Sequence, residues 1–255
     1  ARRLELDNLK VILRGVARRE PAAQIRPLLT PLGRLGRLPL EEPLRAENVP
    51  AVVEALAGTP YGRVLRRALP RFQREDSLFA LEVALDLDYY RRLWSVGAAL
   101  PGADRELALR LMGVQYDLLN VEWIIRFRLI YRLSPEEIFN YTLPYGYRLR
   151  DDDVRRAASA DDLAALAAAL PEPYRGLLAP VARAPDGLDR AGIVLHRHQV
   201  GVARGALTGY PFHIGVAIAY LWLKEAEVHD LKALFEGLRY GQSPEQVVAA
   251  TWGVA

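Results

Sequence analysis

Glu5-Leu-Asp-Asn8-Leu-Lys-Val-Ile12 opens the chain and returns, altered but recognisable, as Asp117-Leu-Leu-Asn120-Val-Glu-Trp-Ile124 and as Glu227-Val-His-Asp230-Leu-Lys-Ala-Leu234. The polar anchors Asn8, Asn120 and Asp230 stand 112 and 110 residues apart, and each has an acid three positions earlier, at Glu5, Asp117 and Glu227. Beyond each anchor, by 13, 15 and 14 residues, a proline starts a further helix: Pro21-Ala-Ala-Gln-Ile, Pro135-Glu-Glu-Ile-Phe and Pro244-Glu-Gln-Val-Val. Two more pairs keep the offset. They are Thr59-Pro-Tyr-Gly-Arg-Val-Leu65 against Glu172-Pro-Tyr-Arg-Gly-Leu-Leu178, and Gly102 against Gly209. Several markers on one period define an internal repeat, and this period is far longer than a solenoid unit, so each copy is a small domain of several helices. The reading divides the chain into a partial first copy (1–75), a complete second (76–184) and a partial third (185–255). The second copy has room for a helix over 77–100 ahead of its anchor and the first does not. That difference predicts a natural N-terminus several tens of residues upstream.

The repeats are built from helices, and the fold class expected is all-α. Leu6, Leu9 and Leu13 recur at helical spacing, as do Leu118, Val121, Ile125 and Val228, Leu231, Phe235. Ser134-Pro-Glu-Glu and Ser243-Pro-Glu-Gln read as helix starts, with Ser at the cap and Pro in the first turn. Asp161-Asp-Leu-Ala-Ala-Leu-Ala-Ala-Ala-Leu170 is an acid-started helix closed by Pro171, with Asn48-Val-Pro-Ala-Val-Val-Glu-Ala-Leu56 as its counterpart. Loops are marked at 27–43, 143–147 and 184–187, and the stretch 27–43, with Gly33 and Gly36, has the least regular pattern. Strand-like alternation is absent from the sequence.

Composition excludes several classes. A chain of 255 residues that is 51% hydrophobic and 25% charged buries a real core and is not a disordered segment. Its longest apolar run, Ile214-Gly-Val-Ala-Ile-Ala-Tyr-Leu-Trp-Leu223, is about half of the roughly 20 residues a membrane span needs and meets Lys224 and Glu225 directly. Cysteine is absent, which removes disulfides and thiolate metal sites. The net charge of +3 is spread among interleaved signs, so no nucleic-acid partner is indicated.

The chain resembles the C subunit of the bacterial and archaeal V-type ATPases, the relative of the d subunit of the eukaryotic V-ATPase. The residues that carry the likeness are Leu81-Glu-Val-Ala-Leu-Asp86 with Tyr89-Tyr90, Asn120-Val-Glu-Trp-Ile-Ile-Arg126, the run from Ile214 to Leu234, and Gly237-Leu-Arg-Tyr-Gly-Gln-Ser-Pro-Glu245. The resemblance covers nearly the whole chain, and its specific part is the order and period of loose motifs. It implies three similar helical domains arranged as a funnel around a pseudo-threefold axis. It also implies a non-catalytic socket that joins the central-stalk rotor subunits to the membrane proteolipid ring during proton or sodium transport. Such a protein is peripheral on the cytoplasmic face and turns with the rotor. The first copy departs from the family pattern by lacking the segment that would complete it.

The candidate chemistry weighs toward structure. Glu5/Asn8, Asp117/Asn120 and Glu227/Asp230 each place two polar groups one turn apart on one helix face. An acidic pair can do general acid–base work, but three equivalent active sites on three diverged repeats is an improbable design, so these six residues are expected to be structural repeat anchors. His196 and His198 lie two apart, face away from each other on a helix and have no third ligand in view, so solvated histidines are expected rather than a metal site. Gly205, Gly209 and Gly215 lack the strand and Gly-Lys-Ser/Thr of a phosphate loop. Tyr141, Tyr145 and Tyr147 suit either a contact patch or packing near a turn, and the Arg-rich segment 63–74 suits a solvated helix face, with an acidic partner or lipid headgroups as the alternative. No cofactor is indicated and no nucleophile–base pair is legible. The alternative to the rotary-ATPase reading is a free-standing helical adaptor, although repeats of about 34 residues, as such scaffolds use, are missing.

Overall fold

The computed structural model describes residues 2–208 and 210–253, and Gly209 of the Gly102/Gly209 pair lies outside the described residues. These residues form helices joined by turns, with no strand among them. In chain order the helices are α1 (Arg2–Ala17), α2 (Ala22–Ile25), α3 (Glu41–Arg45), α4 (Val49–Ala55), α5 (Pro60–Glu75), α6 (Phe79–Ala98) and α7 (Gly102–Ile124). A π-helical turn, Ile125–Ile130, continues α7. Then come α8 (Pro135–Asn140), α9 (Asp151–Ala158), α10 (Leu163–Ala169), α11 (Tyr174–Leu178), α12 (Gly187–Ala206), α13 (Ile214–Arg239) and α14 (Pro244–Ala250). The chain divides into two compact units, Ala1–Leu93 and Trp94–Ala255.

In the first unit α1 lays one face into the core. Leu6, Leu9, Ile12 and Leu13 pack with Val49, Val52 and Val53 of α4, Leu65 of α5, and Leu81 and Leu85 of α6. Each such aliphatic side chain, fully removed from water, contributes roughly 1.5–3 kcal/mol. The outer edge of α1 is tied to α6 by Lys10 with Asp86 at 2.6 Å and by a two-pronged Arg14–Glu82 pair. The loop 27–43 is more ordered than its composition suggests. It holds two 3₁₀ turns, Arg26–Leu28 and Gly33–Leu35, and its backbone is pinned to α1 by Asn8 and Glu5.

In the second unit α7 is the central element, with α9, α12 and α13 all packed against it. Leu111 of α7, Ala203 of α12, and Ala219 and Trp222 of α13 form one cluster. The first backbone N–H of α13, at Ile214, donates to Asp104 Oδ1 of α7 at 2.8 Å, so a carboxylate from a neighbouring helix does the work of a cap. Ser134 with Glu137 and Ser243 with Gln246 close reciprocal capping boxes at the starts of α8 and α14.

The three anchor-bearing helices end alike. Arg19, Arg132 and Gly241 take left-handed conformations, with φ of 58°, 59° and 65°. The next N–H reaches back to a carbonyl in the preceding turn: Glu20 to Gly15, Leu133 to Phe127, and Gln242 to Gly237, each at 2.9 Å. The middle helix is one residue longer between anchor and cap, and the π turn Ile125–Ile130 absorbs that residue.

One expectation from periodicity meets a different environment. Leu6, Leu9, Leu13 and Leu118, Val121, Ile125 are buried, whereas Val228, Leu231 and Phe235 are 51%, 48% and 67% exposed. Short helices that follow pack against α1 (α2, α3 and α4) and against α7 (α9), and among the described residues after α13 it is α14 that packs against it.

Candidate functional site

The anchors form three joints between a long helix and the loop that follows it. At the first, Asn8 Nδ2 donates to Thr30 O at 2.9 Å and Thr30 N donates to Asn8 Oδ1 at 2.8 Å, a span of 22 residues. At the second, Asn120 Nδ2 donates to Leu143 O at 2.9 Å and Leu143 N donates to Asn120 Oδ1 at 2.7 Å, a span of 23 residues. Each amide has one donor and one acceptor end, so it satisfies both backbone groups of a single residue, as a neighbouring strand would. At the third, the carboxylate of Asp230 can only accept, and it takes two successive donors: Trp252 N at 2.7 Å and Gly253 N at 2.8 Å.

The acids one turn earlier make a second lock in the first two joints. Glu5 accepts from Arg37 N and, at 2.6 Å, from the Tyr61 hydroxyl. Asp117 accepts from Arg148 N at 2.6 Å, Leu149 N at 3.2 Å and the Tyr174 hydroxyl at 2.7 Å. The tyrosines stand 56 and 57 residues beyond their acids. They are the Tyr of Thr59-Pro-Tyr and of Glu172-Pro-Tyr, a pair whose shared offset was visible in the sequence while its carboxylate partner was not. Gly146 is required by close approach, because a Cβ there would meet Asp117 Oδ1 at 2.2 Å. Glu227 is placed differently: it is solvated, with 55% of its side chain exposed, and pairs with Lys224 at 2.6 Å.

Electrostatics separate the two buried acids. Burial pushes Glu5 upward, but the Tyr61 hydroxyl and the Arg37 and Leu38 N–H groups outweigh it and hold the carboxyl below its ordinary value. Asp117 is wholly enclosed, and burial lifts it to about 6 against the pull of Arg148, Tyr174 and Leu149. Both tyrosine hydroxyls are driven well above their ordinary value, by burial and then by the carboxylate each one faces. They are donors held in place, not proton carriers.

The other candidates are accounted for individually. His196 is not solvated. Its ring stacks on Trp252 at 3.7 Å, and its Nδ1 lies 2.9 Å from Gly192 O and 3.0 Å from Glu122 Oε1. Burial pulls His196 down, and the Glu122 carboxylate with the Gly192 carbonyl more than reverses it. His229 covers the opposite side of Trp252, also at 3.7 Å, so the indole is held between two imidazoles. Arg197 donates to the carbonyls of Thr251, Val248 and Ala249 that close α14. His198 is turned toward the edge of Tyr174, and burial lowers it. Tyr141 is buried, Tyr145 stacks on Trp94 at 4.8 Å, and Tyr147 lies beneath the guanidinium groups of Arg110 and Arg148. Sequence reasoning missed Trp252 and Arg197, since single residues carry no period.

Among the described residues no group of three or more His, Cys, Asp or Glu side chains is placed to hold a metal ion, and no helix is long and apolar enough to cross a membrane. What the joints do chemically is satisfy buried backbone groups, each of which costs roughly 1–3 kcal/mol if left without a partner.

Comparison with known proteins gives one consistent result. Residues 1–249 match the family model described as "ATP synthase (C/AC39) subunit". The C subunit of the A-type ATP synthase of Methanosphaera stadtmanae is 24% identical over 248 residues, which are 96% of this chain and 64% of that protein. The proteins of the same name from Methanocaldococcus jannaschii and Methanobrevibacter smithii are 25% and 26% identical over 97% of this chain, which spans 62% and 65% of their lengths. The chain thus covers less than two thirds of each of these relatives. A match over nearly every residue shows that the chain belongs to the ATP synthase (C/AC39) subunit family.

Proposed function

We propose that this chain belongs to a non-catalytic socket protein of a rotary A/V-type ATPase, which joins the central-stalk rotor subunits to the membrane proteolipid ring. The observation that carries the reading is the family match over residues 1–249, together with relatives named as the C subunit of the A-type ATP synthase. The use made of the buried acids supports it. Glu5 and Asp117 are occupied by backbone N–H and tyrosine hydroxyl donors, which suits rigid joints and leaves little for acid–base chemistry. A socket that transmits torque needs helical domains that do not shear internally, and a two-point lock between a long helix and its loop provides that stiffness.

In this reading the three anchor-bearing helices α1, α7 and α13 mark three pseudo-equivalent repeats, arranged as a funnel around a pseudo-threefold axis. Glu5, Asn8, Asp117, Asn120, Glu227 and Asp230 are their repeat anchors. The protein sits peripherally on the cytoplasmic face of the membrane and carries no cofactor. The test is affinity purification of the tagged polypeptide from native membranes in mild detergent. The expected eluate contains stalk and proteolipid-ring proteins at fixed stoichiometry. Recovery of the polypeptide alone, or with proteins unrelated to a rotary ATPase, contradicts the proposal.

A further inference from the structure

The Trp252 indole is held from both sides by imidazoles, His196 of α12 and His229 of α13, each at 3.7 Å with the rings close to parallel. These are two of the chain's four histidines, and residues 1–93 hold none. The stack lies beside the third joint, where Asp230 accepts from the N–H groups of Trp252 and Gly253. Arg197 and Arg204 hold the same turn by its carbonyls, at Thr251 and Gly253, with charges that do not change near neutral pH. Histidine is the side chain whose ordinary charge change falls there.

We propose that His196 is a proton-operated clasp on the third joint: charged, it holds Trp252 and keeps the turn 251–253 on Asp230, and neutral, it lets that turn loosen. The geometry serves both charge states. Nδ1 faces two acceptors, Gly192 O at 2.9 Å and Glu122 Oε1 at 3.0 Å, so that nitrogen carries a proton in either state. A second proton, on Nε2, makes the ring a cation. The cation then faces the Glu122 carboxylate of α7, whose Oε1 is buried and has no other partner among the described residues. It also lies on the electron-rich face of the indole, an arrangement that favours positive charge. Glu225 of α13 adds a second negative charge. The remaining charged groups on the surrounding helices are turned to other partners: Asp230 of α13 to the turn, with His229 Nδ1 3.3 Å from its Oδ1, Arg175 of α11 to Leu170 O, and Glu245 of α14 to Ser243. Burial opposes the charge on His196, and Glu122, Gly192 O and Glu225 together outweigh it. The folded ring therefore binds its proton more tightly than the unfolded one. The stabilisation is complete below the ordinary imidazole value of 6.5 and is lost as pH rises through the higher folded value. This inference does not rest on the rotary-ATPase reading, because it concerns only how one joint answers to protons.

The test follows two backbone amides by hydrogen exchange in NMR, each rate divided by its intrinsic rate at the same pH. Trp252 N–H reports the clasp, and Leu143 N–H, held by Asn120 at the second joint, is the reference that removes any change in global stability. Between about pH 6 and about pH 8.5, protection of Trp252 relative to Leu143 is expected to fall roughly threefold or more, in step with titration of the His196 ring. Glu122→Gln, which keeps the shape and removes the charge, should move the ring's titration and the fall together to lower pH. His196→Gln should leave Trp252 weakly protected at every pH, with no fall, and His229→Gln should keep the fall. A constant ratio in the wild-type protein overturns the proposal, as does a His196 ring that titrates below 6.5. A fall that survives in His196→Gln, or one that disappears in His229→Gln, overturns the assignment to His196. A titration unmoved by Glu122→Gln overturns the part given to the carboxylate.

Discussion

Asn120 and Asp117 sit one turn apart and are both fully buried, yet they place opposite demands on their surroundings. The amide gives and accepts one bond with Leu143, whereas the acid accepts three and gives none. Asn120→Ala therefore leaves the Leu143 N–H and C=O buried and unpaired, and urea unfolding is expected to show a loss of at least about 1–3 kcal/mol. A surface asparagine would cost under about 0.5 kcal/mol, so wild-type stability would remove the structural role. For Asp117 the sign of the pH dependence follows from burial. Its folded-state value near 6 lies above the unfolded value of about 3.9, so the folded protein binds the extra proton between them. Its contribution to stability is largest below pH 4 and is lost as pH rises through about 6. Asp117→Asn should flatten that slope while lowering stability overall, since an amide can turn only one acceptor toward the Arg148 and Leu149 N–H groups. An unchanged slope in the variant means that another group titrates there. The position and residue type of these anchors could be read from the period alone. Which backbone groups they meet could not, because a loop 22 or 23 residues away leaves no periodic trace.

The elements were legible where local chemistry decides them. Ser134-Pro and Ser243-Pro start helices because the hydroxyl caps an N–H and proline's fixed φ suits the first turn, and both form capping boxes. The loop 27–43 misled through its Pro and Gly content, since its order comes from Asn8 and Glu5 on another element. The π turn Ile125–Ile130 was likewise hidden: an extra residue inside an apolar run shifts an offset by one and nothing more. The exposed face of α13 was hidden for a different reason, as its apolar spacing matches that of α1 and α7 and only the covering layer differs. A sharper expectation concerns Gly146. A methyl group there would lie 2.2 Å from Asp117 Oδ1 and 2.6 Å from Leu149 O, so the turn must withdraw from the acid. Gly146→Ala is expected to cost roughly 1–3 kcal/mol, in the range of an overpacked core, and to disturb the same pH slope as Asp117→Asn. Wild-type melting and an intact slope would show that the turn is not held against Asp117.

For the molecule as a whole, helical spacing and helix starts in the sequence indicate an all-α protein, and the described residues are helical without a strand. Function was legible only through likeness, and the match over residues 1–249 places that likeness on the family. No isolated residue announces the proposed socket role, which would rest on stiffness distributed over many joints. In the proposed role this protein links the two halves of a rotary machine and takes no part in hydrolysis. Membrane vesicles from cells lacking the gene, and from cells with the gene restored, provide the direct measurement, with ATP hydrolysis and ATP-driven ion uptake followed together. Loss of the protein is expected to abolish ion uptake while the catalytic head, once released, hydrolyses ATP at its usual rate, and restoring the gene is expected to restore uptake. Ion uptake that persists without the protein, or a released head whose hydrolysis depends on it, would rule out the coupling role.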